Sequence, residues 1–495
     1  MIWRFPSVTG SLLVGLAVFD SLVVSTEAAD RPPNIVHIVA DDVGYDDLGC
    51  FGAKDIKTPN IDRLAARGMK LTSFYSPAPY CTASRAAMMT GCYADRIGIP
   101  PVLFPYSKIG INASEVTIGE LLKGRGYRTA LIGKWHLGHH PEFLPVRHGF
   151  DFFLGIPYPN DHEPDRRGWS KQAGRDNYIP PPMPLYRNEK IIEEPAELER
   201  LPQRFTVEAV KFIRENKARP FYLHFSNIET HTPWFTPSRF AGTSQAGSYG
   251  DAVQCLDWSV GQIVATLDDL NLLDNTLIVF HSDNGYLPPS SNNSDLPGVY
   301  GKYATVDASR QHIVRGGKGT LFEGGVRVSC IASWLGKIPE GSSSGEITAS
   351  FDLFATFAKL AGADLPADRV IDGQDISPLI FNQPGAKSPH EAFYYYHGGN
   401  LGGVRQGKWK LSFPGVGRGG GAGAKKGEQS PELYDLEADL GETTSVAEAH
   451  PDIVKQLLAL AEKSRDDIGD ARLGRKGRNV REVGRVEVQS ASGGR

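Results

Sequence analysis

Four short apolar runs, set far apart and each running into a polar or glycine-bearing turn, constrain this chain more than any other feature. They are "NIVHIVA" (Asn34 to Ala40), "TALIG" (Thr129 to Gly133), "PFYLHFSN" (Pro220 to Asn227) and "TLIVFHS" (Thr276 to Ser282). Each is rich in Val, Ile, Leu or aromatic residues and too short for a helix, which predicts strands buried on both faces. Between them lie stretches such as "TIGELLKGRGY" and "AVQCLDWSVGQIVATLDDLNLL", where apolar residues recur at helical spacing. The alternation predicts an α/β fold with a large, mostly parallel sheet sandwiched by helices. Ligands of such sheets gather at the carboxyl ends of the strands, so chemistry is sought there.

At 495 residues the chain is long enough for one large core and a smaller second unit. After "SFDLFATFAKLAG", a helix ending at Gly362, the texture changes. Strands are expected in "AFYYYHGG", "GGVRQGKWKLSF" and "ELYDLE", and one helix in "HPDIVKQLLALAEKSRDDIG". The expected division is a leader over 1–29, a catalytic domain over 30–389, an α+β subdomain of antiparallel strands and one helix over 390–470, and a basic, flexible tail over 471–495. The leader carries Arg4, an apolar run from Ser11 to Val24 and small residues ending at Ala28 and Ala29, the pattern of a secretory signal peptide. It implies a periplasmic or secreted protein. No other segment is apolar enough to cross a bilayer. The insert from Gly415 to Gln429 reads as a glycine-rich hairpin loop.

A formal net charge of -4, with Lys and Arg spread along the chain, argues against a nucleic-acid binder. Five cysteines, Cys50, Cys81, Cys92, Cys255 and Cys330, are too few for a disulfide framework. With Cys81 set aside, the others allow three pairings or none. Asn112-Ala113-Ser114 and Asn292-Asn293-Ser294 fit the glycosylation pattern.

Two of the four strands end in oxygen-rich pairs, Asp41-Asp42 and Asp283-Asn284. Converging at the carboxyl edge of one sheet, they would suit one hard divalent cation, calcium before magnesium. In "GKWHLG", Lys134 and His136 project to one side if the extended backbone continues. His231 follows a third strand, and Lys318 sits in the glycine-dense "RGGKGTLFEGG". In "CTASRAAMMTG", Arg85 falls one helical turn after Cys81 and would share its face. Cations, two histidines, a divalent ion and one potential nucleophile fit hydrolysis of an anionic ester, in which charge grows on oxygen.

The ordered motifs "DDVGYDDLGCFG", "CTASR" with "AAMMTG", "GKWHLG", "HSDNG" and "GGKGTLFEGG" resemble the formylglycine-dependent sulfatases of the alkaline-phosphatase-like superfamily. The resemblance runs from about Pro33 to Gly469. The stretch "PPVLFP…GKWHLG…FLPVRHGFDFFLGIPY" is similar to the arylsulfatase A and N-acetylgalactosamine-6-sulfatase branch. In that family a maturation enzyme oxidises the motif cysteine, here Cys81, to Cα-formylglycine, whose hydrate supplies the nucleophilic oxygen. The resemblance implies one calcium ion held by Asp41, Asp42, Asp283 and Asn284 together with the group made from Cys81. It gives Arg85 and Lys134 to the hydrate, Lys318 and His231 to the sulfate and bridging oxygen, and His136 to the proton transfer that releases sulfate. The implied substrate is a sulfated carbohydrate, polysaccharide or aryl sulfate.

Two departures from the family pattern stand out. Ala83 occupies a position more often proline, and Pro159, followed by Asn160 and Asp161, stands where the branch often has a serine. Two other readings compete. One is a phosphomonoesterase or phosphodiesterase of the same superfamily, which would call for more metal-binding His and Asp. The other is a non-catalytic sulfated-glycan-binding protein, which would need the cations but not Cys81.

Overall fold

A computed structural model describes residues 1–3, 31–161, 178–287, 311–417 and 430–486. The leader beyond its first three residues, the Asn292 to Ser294 pattern and most of the glycine-rich insert lie outside the described residues. Met1–Arg31 forms one unit by itself, and Pro32–Arg495 forms the other.

The body is built on a ten-stranded sheet. In chain order its strands are β1 (Asn34–Ala40), β2 (Met69–Leu71), β3 (Arg128–Lys134), β4 (Phe152–Ile156), β5 (Leu185–Arg187), β6 (Lys190–Glu193), β7 (Phe221–Ser226), β8 (Thr276–Ser282), β9 (Cys330–Ser333) and β10 (Ser342–Ser344). Across the sheet they run β10-β2-β9-β8-β1-β7-β3-β4-β5-β6. The stretch from β8 to β4 is parallel, and β9, β5 and β6 add antiparallel pairings at the flanks.

The four apolar runs became β1, β3, β7 and β8, the middle of the sheet, and the interior explains why. Along β1, Val36, Ile38 and Ala40 belong to one apolar cluster and Ile35 and Val39 to the other. Side chains alternate across a strand, so only an unbroken apolar run fills both faces. Helices α1 (Pro59–Ala66), α4 (Leu201–Asn216) and α5 (Gly247–Asp269) cover the first face through Leu64, Phe205 and Val253. Helices α2 (Cys81–Thr90), α3 (Ile118–Gly124) and α6 (Asp352–Leu360) cover the second through Met88, Leu122 and Phe357. Each fully buried side chain of this kind contributes roughly 1.5–3 kcal/mol. Thr117 starts α3 with a capping box, exchanging bonds with Glu120.

A separate antiparallel sheet follows, made of β11 (Phe393–His397), β12 (Asn400–Gln406), β13 (Trp409–Ser412) and β14 (Glu432–Asp435), with α7 (Pro451–Asp467) against it. Its core is continuous with Tyr75, Tyr93 and Phe351 of the body. Buried charges add to that junction: Lys410 Nζ lies 2.9 Å from Glu323 Oε1 and 2.7 Å from Glu442 Oε1.

The tail departs from the expectation of a loose terminus. Gly484–Arg485 pairs antiparallel with Ile109–Gly110, Arg481 forms an ion pair with Glu115 at 2.7 Å, and the Asn112 amide donates to the Glu482 carbonyl. The described part of the tail is held because Arg481 finds the buried Glu115 carboxylate and its backbone finds a strand edge. All five cysteines are free, and Cys81, Cys92, Cys255 and Cys330 are buried as small apolar side chains. No helix among the described residues is long and apolar enough to cross a membrane.

Candidate active site

Parallel pairing of β1 with β8 sets Ala40 opposite Ser282, so the residues just beyond both strands emerge side by side. The Asp283 N–H donates to the Ala40 carbonyl at 2.9 Å, and the Asp42 N–H donates to Asp283 Oδ1 at 3.1 Å. Asp42 adopts φ 65°, a left-handed turn that aims successive carboxylates to different sides of one point. Gly285 lets this turn pass close to the next loop, since a Cβ there would lie 1.8 Å from the Gly324 carbonyl.

Helix α2 begins at Cys81 itself and delivers two side chains to the carboxylates. Cys81 Sγ lies 3.5 Å from Asp41 Oδ1 and 3.7 Å from Asp42 Oδ1. One turn later the Arg85 guanidinium lies 2.8 Å from Asp283 Oδ2 and 3.5 Å from Asp41 Oδ1. From the end of β3, Lys134 Nζ reaches Asp41 Oδ2 at 2.7 Å. Lys318 Nζ lies 2.7 Å from Asp42 Oδ2 and 3.1 Å from Cys81 Sγ. His231 Nε2 approaches Asp42 Oδ2 to 3.6 Å, while its Nδ1 faces the Thr232 carbonyl at 2.7 Å. A neutral ring therefore carries its proton on Nδ1 and turns the Nε2 lone pair inward.

His136 does not follow the extended path expected for it. β3 ends at Lys134, and His136 takes φ 62° because the N–H groups of Trp135 and His136 bond to Ile156 and Pro157. Its Nε2 is 2.9 Å from the Leu103 carbonyl, and the Leu103 N–H donates to Thr82 Oγ1 beside Cys81. A single residue thus ties His136 to the start of α2.

Two further side chains complete the arrangement and were not singled out in the sequence. Ser226, the last residue of β7, donates to the Lys134 carbonyl at 2.6 Å and accepts from Arg85 at 2.5 Å. Thr230 donates to the Asp41 carbonyl at 2.5 Å. The only signal for either was a hydroxyl at or just past a strand end, a feature shared with ordinary turns. Asn160, beside Pro159, donates to the Pro233 carbonyl at 3.1 Å and so braces the loop that carries His231.

The electrostatics follow from burial. The Asp41, Asp42 and Asp283 carboxylates face Arg85, Lys134 and Lys318, all at most slightly exposed. Burial pushes the Asp41 carboxyl up, but Lys134 and Arg85 outweigh it and hold the group well below the usual range. Burial, then the Asp41 charge, pushes Asp283 up to about 6. Burial, then Asp283, pushes the Cys81 thiol well above its ordinary value. An unmodified Cys81 is thus held as a neutral thiol, a poor nucleophile.

Ligand atoms of Asp41, Asp42, Cys81 and His231 all lie within 4.8 Å of one another. Asn284 adds an amide whose Nδ2 donates to Asp42 Oδ1 at 2.7 Å, while its Oδ1 is buried with no hydrogen-bond partner among the described residues. A buried amide oxygen without a donor beside three carboxylates fits a hard, oxygen-seeking cation.

The general sulfatase model matches residues 33–363, and the model for the C-terminal region of aryl-sulfatases matches residues 388–485. The chain belongs to the sulfatase family. Human arylsulfatase A is 38% identical over 463 residues, covering 88% of both chains. N-acetylgalactosamine-6-sulfatase of Canis lupus familiaris is 38% identical over 417 residues, covering 80% of this sulfatase and 75% of that one. Among solved structures, Ps i-CgsB in complex with k-i-k-neocarrahexaose matches with a TM-score of 0.72 at 30% identity, over 88% of this chain and 92% of that one. The protein is a sulfuric ester hydrolase of alkaline-phosphatase-like fold.

Proposed function

We propose that this sulfatase is exported by its leader and hydrolyses sulfated carbohydrate, using a Cα-formylglycine made from Cys81 by a maturation enzyme and one calcium ion. The observation that carries the reading is the setting of Cys81: a buried thiol, pushed well above its ordinary pKa, 3.1 Å from a lysine and ringed by carboxylates. That setting is wrong for a thiolate and right for the precursor of a different nucleophile. The carbohydrate assignment is supported by a relative named for N-acetylgalactosamine 6-sulfate and by a similar structure in complex with a neocarrahexaose.

Asp41, Asp42, Asp283 and Asn284 would hold the calcium, which supplies positive charge for the sulfate oxygens; the oxidised Cys81 supplies the attacking oxygen as an aldehyde hydrate. The chain's own side chains do the rest. Arg85, fixed by Asp283 and Ser226, and Lys134, fixed by Asp41, orient the oxygens on residue 81. Lys318 faces the same residue from the other side and binds the incoming sulfate. His231 acts as the imidazolium: its Nδ1 proton is held by the Thr232 carbonyl, and a second proton, taken up from solvent on Nε2 beside Asp42, passes to the departing alcohol oxygen. His136 takes a proton from residue 81 so that sulfate can leave.

The test is sulfate release from an aryl sulfate and a panel of sulfated saccharides, with protein co-produced with the maturation enzyme and a Cys81→Ala control. Release from a saccharide that disappears in the control supports the reading. Release from aryl esters alone refutes the carbohydrate part, and undiminished release by Cys81→Ala refutes the nucleophile.

A further inference from the structure

Burial around Cys81 falls off toward Lys318. Asp42 is 1% exposed, Lys318 is 12% exposed, and beyond Lys318 two half-buried aromatic side chains meet, Tyr80 from the body and His397 from the C-terminal sheet. The Tyr80 hydroxyl lies 3.1 Å from His397 Nε2, and the rings stand edge to face with centroids 5.2 Å apart. Tyr80 immediately precedes Cys81, and burial pushes its phenol up with Lys318 near enough to oppose the shift. Gly319, next to Lys318, bonds its N–H to the Pro79 carbonyl at 2.9 Å, which ties the lysine loop to the segment before Cys81.

His397 is placed firmly. It closes β11, pairs with Asn400 across a two-residue Gly-Gly turn, and both glycines have φ above +50°. The turn is itself pinned, since the Gly399 N–H donates to Asp95 at 2.5 Å and its carbonyl accepts from Ala471 at 2.8 Å. A hairpin tip held on both sides presents its last side chain in a fixed position.

We propose that Tyr80 and His397 together form the seat for the alcohol part of the substrate, so that the C-terminal sheet selects which sulfate ester is cleaved. This rests on the function proposed above. With the sulfate at Lys318, an ester whose alcohol part follows the falling burial on that side passes this pair. An aromatic face beside two polar tips suits a sugar ring, which offers a C–H face for the ring and hydroxyls for the phenol and imidazole. Each ring is locked by the other, so little side-chain entropy is lost on binding.

The experiment compares kcat/KM for two esters that share sulfate and differ in the alcohol: p-nitrophenyl sulfate and the saccharide sulfate that the unaltered enzyme turns over best. His397→Ala, His397→Gln and Tyr80→Phe are measured with Cys81 conversion checked by mass spectrometry. His397→Ala is expected to lower the saccharide-to-aryl ratio by about tenfold or more, chiefly through KM, with inhibition by inorganic sulfate changed by less than about twofold. A ratio that stays within about twofold of the unaltered enzyme, or sulfate inhibition that weakens in parallel, overturns the seat. If the unaltered enzyme turns over no saccharide, the carbohydrate reading fails by itself. The seat is then judged by the same criteria with 4-methylumbelliferyl sulfate as the second ester.

Discussion

The Lys410 ammonium of the C-terminal sheet lies 2.9 Å from the Glu323 carboxylate of the body, with both side chains buried. Lys410 also donates to the Leu321 carbonyl at 2.8 Å, and the Glu323 N–H donates to Glu442 at 2.6 Å. These bonds grip the chain three to five residues after Lys318. Removing one partner of a buried pair leaves an uncompensated charge, so Lys410→Met should destabilise the fold by about 3–5 kcal/mol in urea unfolding. Activity should fall with it as the Lys318 loop loosens. Unchanged stability would mean that the junction is held by apolar packing alone.

Arg85 makes a forked set of contacts, with Asp283, Asp41, Ser226 and the Lys134 carbonyl around one guanidinium. A lysine has the charge but not the fork. Arg85→Lys should therefore lower kcat/KM by roughly 10²–10³. Sulfate release at close to the unaltered rate would show that charge alone suffices at this position.

The cation assignment makes a thermal prediction. A chelator should lower the unfolding temperature and added calcium should restore it, since at a hundredfold excess over Kd a bound ion stabilises by about 2.7 kcal/mol. Asp283→Asn should blunt both responses. A melting curve indifferent to chelator and calcium alike would sink the metal assignment.

His148 provides a pH test. The ring is fully buried, and burial, opposed only in part by a hydrogen bond with the Glu142 backbone, pushes it down to about 4. The unfolded chain protonates this ring near pH 6.5, so below that the unfolded state binds the extra proton and stability is lost; above it the contribution is fully present. Buried carboxylates such as Asp95, pushed by burial up to about 6, titrate with the opposite sign, so the informative quantity is a difference. Relative to His148→Phe, the unaltered enzyme should lose about 2 kcal/mol of stability between pH 7.5 and pH 5. Parallel stability curves for the two proteins would refute the shift.

The middle of the sheet was legible because β1, β3, β7 and β8 must be apolar on both faces, and such runs stand out in a sequence. Its flanks were not. β10 is Ser342–Ser344 and β6 is "KIIE" with two exposed isoleucines, so neither carries a buried-strand signature. The same asymmetry holds in the site. Asp41, Asp42, Cys81, Arg85, Lys134, His231, Asp283, Asn284 and Lys318, all singled out in the sequence, come together because strand ends and one helix start converge. The position of His136 depends on a left-handed turn, and Ser226 depends on which strands are neighbours, and neither fact is written in local spacing. The anchoring of the tail was hidden for the same reason, since Arg481 looks like any other surface arginine until Glu115 is beside it.

Cys81 is 2% exposed once the sheet has closed, and what closes it comes late. Arg85 and its partner Asp283 are separated by 198 residues of sequence. At a synthesis rate of about 5–20 residues per second, that separation is a delay on the order of 10–40 s. During it the segment around Cys81 exists, but the strand that seals it does not. On the function proposed above, the maturation enzyme would have that interval as its opportunity, and a molecule that folded before being touched would be sealed with an inert cysteine. The fraction of active protein in a preparation would then record a race between oxidation and the arrival of β8.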